Sequence, residues 1–197
     1  MIEGMAVTQA SLEEAVRTLL AEIGEDPSRD GLRGTPERMR RMYGELTAGY
    51  RTDPDALING ACFDVDYDEM VVVRDIEFYS LCEHHLLPFY GRAHVGYLPK
   101  GRVIGLSKIP RIVDMYAHRL QVQERMTVQI ADLLMERLEP KGVGCVVEAT
   151  HLCTMMRGVR KQEATMVTSS MLGTFRRDAR TRGEFLTFIG RASTERP

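Results

Sequence analysis

The chain has 197 residues, of which 44% are hydrophobic and 27% charged, and a net charge of −2; this is the profile of a globular protein of one domain, or one domain with an appendage, large enough for its own core. The slightly acidic balance excludes a general nucleic-acid binder, which needs a broad basic surface. No run approaches the ~20 apolar residues of a membrane span, and Met1-Ile2-Glu3-Gly4 lacks the basic flank and apolar core of a secretory signal, so a cytoplasmic location is expected.

A first helix is predicted from the capping-box pattern Ser11-Leu12-Glu13-Glu14, with Leu12, Ala15, Val16, Leu19, Leu20 and Ile23 on one face until Gly24. After a polar loop, Thr35-Pro36 supplies a cap and a first-turn proline for a second helix over 36–49, whose apolar side is Met39, Met42, Tyr43 and Leu46. Residues 51–69, rich in Asp and containing Pro54, Asn59 and Gly60, read as a connecting loop. Residues 1–69 are thus expected to be a helical appendage and linker, and 70–197 the main domain.

Strand character begins at Met70. Residues 70–81 are β-branched and aromatic, and over 92–98 Ala93, Val95 and Tyr97 alternate with Arg92, His94 and Gly96. Helices are predicted over 108–118 and 122–138, the second with Val122, Met126, Ile130, Leu133 and Leu134 at helical spacing. Strands over 143–152 and 165–170 follow, and Thr181 is the expected cap of a last short helix carrying Phe185, Leu186 and Ile189. Strands, two helices, then strands predict an antiparallel α+β layer with the helices on one face.

Chemistry concentrates between the first two strands. Cys82-Glu83-His84-His85 puts a thiol and two imidazoles into four positions, and Cys82 and His85 stand at a spacing that lets a tight turn aim both at one ion. His151-Leu152-Cys153 is a second cluster whose two polar side chains share a face if it ends a strand. Cys82, His85 and Cys153 would make three ligands of a zinc whose fourth position stays open, as in catalytic sites. His84 and His151 are then spare, unless His84 completes a closed structural site. The four cysteines, at 62, 82, 145 and 153, show no disulfide-scaffold pattern, and in a reducing compartment metal or catalysis is the expected use.

Two further stretches carry charge at helix starts. Gly105-Leu106-Ser107-Lys108-Ile109-Pro110-Arg111 could hold an anion on free backbone N–H groups and two cations; its order is not that of a Walker A loop, and by itself it also reads as a capped helix with solvated charges. Arg157-Gly158-Val159-Arg160-Lys161 adds three cations after Cys153. In Gln121-Val122-Gln123-Glu124-Arg125, a buried Glu124 could accept paired hydrogen bonds from the N1–H and exocyclic amine of guanine, or simply face the helix dipole.

These motifs, in this order and approximate spacing, resemble the GTP cyclohydrolase I family from Thr35-Pro36-Glu37-Arg38 to about Phe188, with no departure at a motif position; His94 and Thr154-Met155-Met156 differ only between motifs. The resemblance implies hydrolytic opening of the GTP imidazole ring at C8, release of formate and rearrangement to 7,8-dihydroneopterin triphosphate, at the entry to tetrahydrofolate and other pterins. It implies zinc held by Cys82, His85 and Cys153, proton transfer by His84 and His151, and guanine anchored by Glu124. Lys108, Arg111, Arg157 and, from another subunit, Arg38 would bind triphosphate, with Ser107 and Gln123 lining the ribose and base pocket. It also implies the T-fold (tunnelling fold), a four-stranded antiparallel sheet with two helices, assembled as a homodecamer of two stacked pentamers with active sites at subunit junctions. The rival readings are a catalytically silent zinc module and another pterin or deazapurine T-fold enzyme.

Overall fold

A computed structural model describes residues 9–58 and 60–190, with side chains from residue 12 onward. Asn59 and the stretch 1–4 assessed as a signal sequence lie outside the described residues. The chain divides between Thr47 and Ala48 into two compact units.

The smaller unit contains α1 (Gln9–Glu22), α2 (Asp30–Arg33) and α3 (Thr35–Leu46). Helix α1 starts before the expected cap, so Ser11 stands inside it; Gln9 and Ala10 are good helix formers and extend the helix backwards. Val16 and Leu20 are buried, whereas Leu19 and Ile23, expected on the same face, are 52% and 66% exposed. The polar loop holds α2, and Gly34 both closes α2 and caps α3, so Thr35 is the first helical residue rather than the cap. Arg40 Nε donates to Glu13 Oε1 at 3.0 Å, tying α1 to α3.

In the larger unit the expected loop over 51–69 contains α4 (Pro54–Ile58) and β1 (Cys62–Asp64), too short to leave a periodic signal. Then come β2 (Val71–Cys82), β3 (Pro88–Leu98), β4 (Arg102–Ile104), α5 (Lys108–Ala117), β5 (Leu120–Gln121), α6 (Gln123–Leu138), β6 (Gly142–His151), α7 (Leu152–Met155), β7 (Met166–Gly173), α8 (Thr174–Arg177) and α9 (Ala179–Gly190). Both long helices begin and end within a residue or two of their predicted bounds, because their apolar positions repeat with the helical period.

The main sheet has the order β5-β2-β3-β6-β7. Its four long strands are antiparallel, and the two-residue β5 pairs parallel to β2 through Leu81↔Leu120 and Cys82↔Gln121. The expected four-stranded sheet is therefore extended by a short fifth strand, while β1 and β4 form a separate antiparallel pair. The mixed α+β class with an antiparallel sheet is as expected.

One face of the sheet, with Phe78, Phe89, Ala93, Val95, Tyr97, Val143, Cys145 and Val147, packs on Ile109, Ile112 and Val113 of α5 and Met126, Ile130 and Leu134 of α6. The other face is not free of helices as expected: α8 and α9 cover one end of it. Phe175 and Phe185, both fully buried, lie against Val146 there. The rings sit on glycine; a Cβ on Gly96 would come within 2.8 Å of Phe185, and one on Gly144 within 2.6 Å of Phe175. Helix α9 is started by Asp178 rather than Thr181, since the Asp178 carboxylate accepts the Arg180 N–H at 2.9 Å and the Thr181 hydroxyl at 3.0 Å. Those two bonds also hold its carboxyl below the usual range. Of the expected apolar residues on α9, Phe185 is buried and Leu186 is exposed.

Candidate active site

The metal turn is a product of its backbone. Cys82, the last residue of β2, donates its N–H to Leu87 O at 2.9 Å and accepts from Leu86 N–H at 2.8 Å. Leu86 takes a left-handed φ of 55° to close the loop. Glu83 N–H reaches Gln121 O at 3.0 Å, so the turn is also fastened to β5, just before α6. A second fastening runs through side chains: Arg125 donates to the Glu83 carboxylate and, through Nε, to Gln121 Oε1 at 3.0 Å. The guanidinium holds the Glu83 carboxyl below its usual range.

The second cluster arrives from β6. Phe89 and His151 are direct partners in the β3–β6 register, and their rings stack with centroids 4.6 Å apart and planes 1° from parallel. The expected strand does not continue to Leu152; the chain turns into α7 there, and Cys153 reaches the metal turn from a helix rather than by strand alternation. The result is a triangle of Cys82, His85 and Cys153 whose ligand atoms all lie within 4.8 Å of one another. Two thiols and an imidazole suit zinc, whose bond lengths put neighbouring tetrahedral ligands roughly 3.5 Å apart, so a contraction on the order of 1 Å would close the shell. Burial pushes the Cys153 thiol up, with the nearby Cys82 thiol adding to it; a cation between them would reverse that. His84 Nδ1 lies 3.8 Å from Cys82 Sγ, but His84 is not a member of this triangle. Arg157 Nη1 donates to His85 Nε2 at 2.9 Å, which leaves Nδ1 as the ring nitrogen free to ligate.

Beside the triangle opens a cavity of about 420 Å³, whose lining includes Cys82, His84, Gln123, Glu124, His151 and Cys153. Helix α6 contributes Gln123 and Glu124 from its first turn. Gln123 is buried at 1% exposure, whereas Glu124 is exposed on the cavity wall rather than buried as expected. Burial lowers the His151 pKa, and the Glu124 carboxylate partly opposes this. Lys161 and Val159 also line the cavity, so the cationic run after Cys153 does reach it.

The α5 residues are elsewhere. Lys108 Nζ donates to Leu57 O at 2.7 Å, Ser107 is exposed at the start of α5 with no side-chain cap bond, and Arg111 lines a separate cavity of about 440 Å³ with Asp53, Asp114 and His118. None of the three is among the described residues lining the metal-side cavity. Arg38 belongs to the smaller unit, where its Nη2 donates to Thr35 Oγ1 at 2.9 Å and Gly31 O at 3.2 Å. Sequence reasoning missed Phe89, Met166 and Thr168 around His151 and Gln123. Only the strand register brings them there, and no spacing along the chain encodes it.

The family model described as GTP cyclohydrolase I matches residues 12–190. A GTP cyclohydrolase 1 of Leptospira biflexa serovar Patoc is 58% identical over 178 residues, covering 90% of this chain and 97% of its own. One of Synechococcus sp. (strain JA-2-3B'a(2-13)) is 59% identical over 183 residues, covering 93% of this chain and 80% of its own. One of Methylococcus capsulatus is 58% identical over 180 residues, covering 91% and 97%.

Proposed function

This chain belongs to the GTP cyclohydrolase I family, a hydrolase acting on GTP, and from that premise we propose how its own residues divide the work of opening the imidazole ring at C8, releasing formate and rearranging the product to 7,8-dihydroneopterin triphosphate. The observation that carries the reading is the convergence of the Cys82, His85 and Cys153 triangle with Glu124, Gln123 and His151 on one cavity. Cys82, His85 and Cys153 would hold Zn²⁺, which when bound supplies a water activated near neutral pH. Glu124, exposed on the cavity wall and in no ion pair among the described residues, accepts the N1–H and exocyclic amine of guanine, and the bound base then buries it. His151, facing the same cavity, transfers a proton at purine N7, and His84 assists on the metal side.

The triphosphate role of Lys108, Arg111 and Arg157, the ribose role of Ser107, and the contribution of Arg38 from another subunit rest on motif position. Two observations support an assembly in which they meet. Within one chain, Lys108 and Arg111 stand away from the metal-side cavity. The main sheet also ends at β7, which has a partner strand on one side only among the described residues and so offers an edge for pairing with another chain. We read the assembly as a homodecamer of two pentamers with closed symmetry, built on the T-fold. Among the described residues no helix is long and apolar enough to cross a membrane. The deciding assay is incubation of the protein with GTP: formate and, after oxidation, a fluorescent pterin are expected, and zinc-loaded protein that yields neither overturns the reading.

A further inference from the structure

Gln123 is a polar side chain with 1% exposure, so its amide must find its hydrogen bonds inside the protein. Its Nε2 lies 2.9 Å from Val147 O, 3.0 Å from Met166 O and 3.1 Å from Thr168 Oγ1. Two of those partners are carbonyl oxygens that only accept, so the amide nitrogen must be on that side and the orientation of the group follows from chemistry. The far end of the amide is then an acceptor. It stands 2.9 Å from His151 Nε2, and an acceptor at that distance requires the hydrogen to be on Nε2.

The rest of the surroundings keep this arrangement fixed. Thr127 Oγ1 donates to Gln123 O at 2.7 Å, and it lies 2.7 Å from Thr168 Oγ1. The His151 ring is held flat against Phe89. With Nε2 engaged inside the protein, the nitrogen His151 has left for the cavity it lines is Nδ1.

We infer that Gln123 is a positioning residue: its amide, locked by Val147, Met166 and Thr168, holds His151 in the Nε2–H tautomer and presents Nδ1 to the substrate. This rests on the proton-transfer role proposed above for His151. In the step itself the lone pair of Nδ1 first takes up a proton from solvent; that proton then passes to the lone pair of purine N7, the electron pair of the broken Nδ1–H bond returns to Nδ1, and the Nε2–H bond to Gln123 remains intact throughout. Gln123 thus acts on the base through His151.

Zinc-loaded protein labelled with ¹³C and ¹⁵N at histidine tests this without any substitution, because the two ring nitrogens are told apart by their carbon neighbours and the chain has only five histidines. Subtracting the spectrum of His151→Ala identifies the signal. The expected result is a hydrogen on Nε2 and none on Nδ1 in the free enzyme; the opposite tautomer overturns the inference. Gln123→Met, of similar length but without the amide, should lose the single tautomer and lower kcat roughly 10²- to 10⁴-fold, with zinc content and the KM for GTP nearly unchanged. A Gln123→Met enzyme with wild-type kcat overturns it as well. Should that variant fail to fold, since it leaves the Val147 and Met166 carbonyls unpaired, the wild-type spectrum decides alone. Full turnover by His151→Ala would instead sink the role of His151, whichever nitrogen carries the hydrogen.

Discussion

The starts of α5 and α6 look alike in sequence, each with polar and charged residues entering a long amphipathic helix, yet they differ in what the fold delivers to them. At α6 four other elements converge: β2 ends there in Cys82, β5 pairs Cys82 with Gln121, and β6 and α7 bring His151 and Cys153. At α5 no second cysteine–histidine cluster arrives among the described residues; Lys108 is bonded to the Leu57 carbonyl and Arg111 opens onto a different cavity. A helix start with the right residues becomes a site only where strand register supplies the complementary groups. In the assembly proposed above, a second copy of the chain completes the half that holds the α5 cations.

The sharpest way to break this comparison is at the metal triangle. Cys82→Ser, His85→Ser and Cys153→Ser should each lose zinc and ring opening together, because a three-ligand site has no ligand to spare; metal analysis of the purified variants decides it, and full zinc retention in any one removes that residue from the set. Next in size is His151→Ala, which should keep its zinc and lose about 10²- to 10⁴-fold in turnover. Loss of zinc from this variant would mean that His151 belongs to the metal rather than to the cavity.

Glu124→Gln sharpens the α6 side. The amide places a donor against guanine's own donors and leaves groups unpaired in the closed pocket, a cost of about 1–3 kcal/mol or roughly 10- to 100-fold in GTP recognition. Unchanged kinetics with GTP would return Glu124 to a carboxylate facing the helix dipole. The α5 side is tested by mixing: inactive Arg38→Ala and inactive His151→Ala proteins, dissociated and reassembled together, should regain part of the activity, because some junctions receive both intact residues. No recovery in mixed oligomers would place all the residues in one chain.

Much of this was legible in the residues, and the remainder was hidden for identifiable reasons. Long helices announce themselves through repeated apolar positions, as Ile109, Ile112 and Val113 in α5 and Met126, Ile130 and Leu134 in α6 do, all of them buried. Elements of two to five residues such as α4, β1 and β5 complete no period and are invisible to that reasoning. The turn carrying Cys82 and His85 was readable as a cluster because the two residues are close in sequence. The stacking of Phe89 on His151 was not, because it depends on how β3 and β6 slide against each other. Caps were misassigned where a better acceptor stood nearby, as with Asp178 ahead of Thr181. The second-face helices hinge on Gly96 and Gly144, whose missing side chains make room for Phe175 and Phe185; from sequence alone a glycine in a strand does not say what will approach it.

The smallest effect belongs to Glu83, the residue beside Cys82. Its ion pair with Arg125 is the most conspicuous side-chain contact between the metal turn and α6, and it would be natural to credit it with placing the turn. The backbone argues otherwise: Cys82 N–H to Leu87 O, Leu86 N–H to Cys82 O and Glu83 N–H to Gln121 O already fix the loop at both ends, while the ion pair is between partly exposed groups, where ordering and screening cancel most of the attraction. Glu83→Gln keeps an acceptor for Arg125 and should leave zinc content, turnover and the midpoint of thermal unfolding nearly unchanged at neutral pH. The sign of the residual effect is fixed. Arg125 lowers the Glu83 pKa, so whatever the charge contributes is present above the ordinary carboxylate pKa and disappears as pH falls through the lowered one. Thermal unfolding of wild type and Glu83→Gln should therefore converge in acid. A Glu83→Gln protein that loses its zinc would show that the side-chain pair, and not the backbone of the turn, holds the metal end of the sheet against α6.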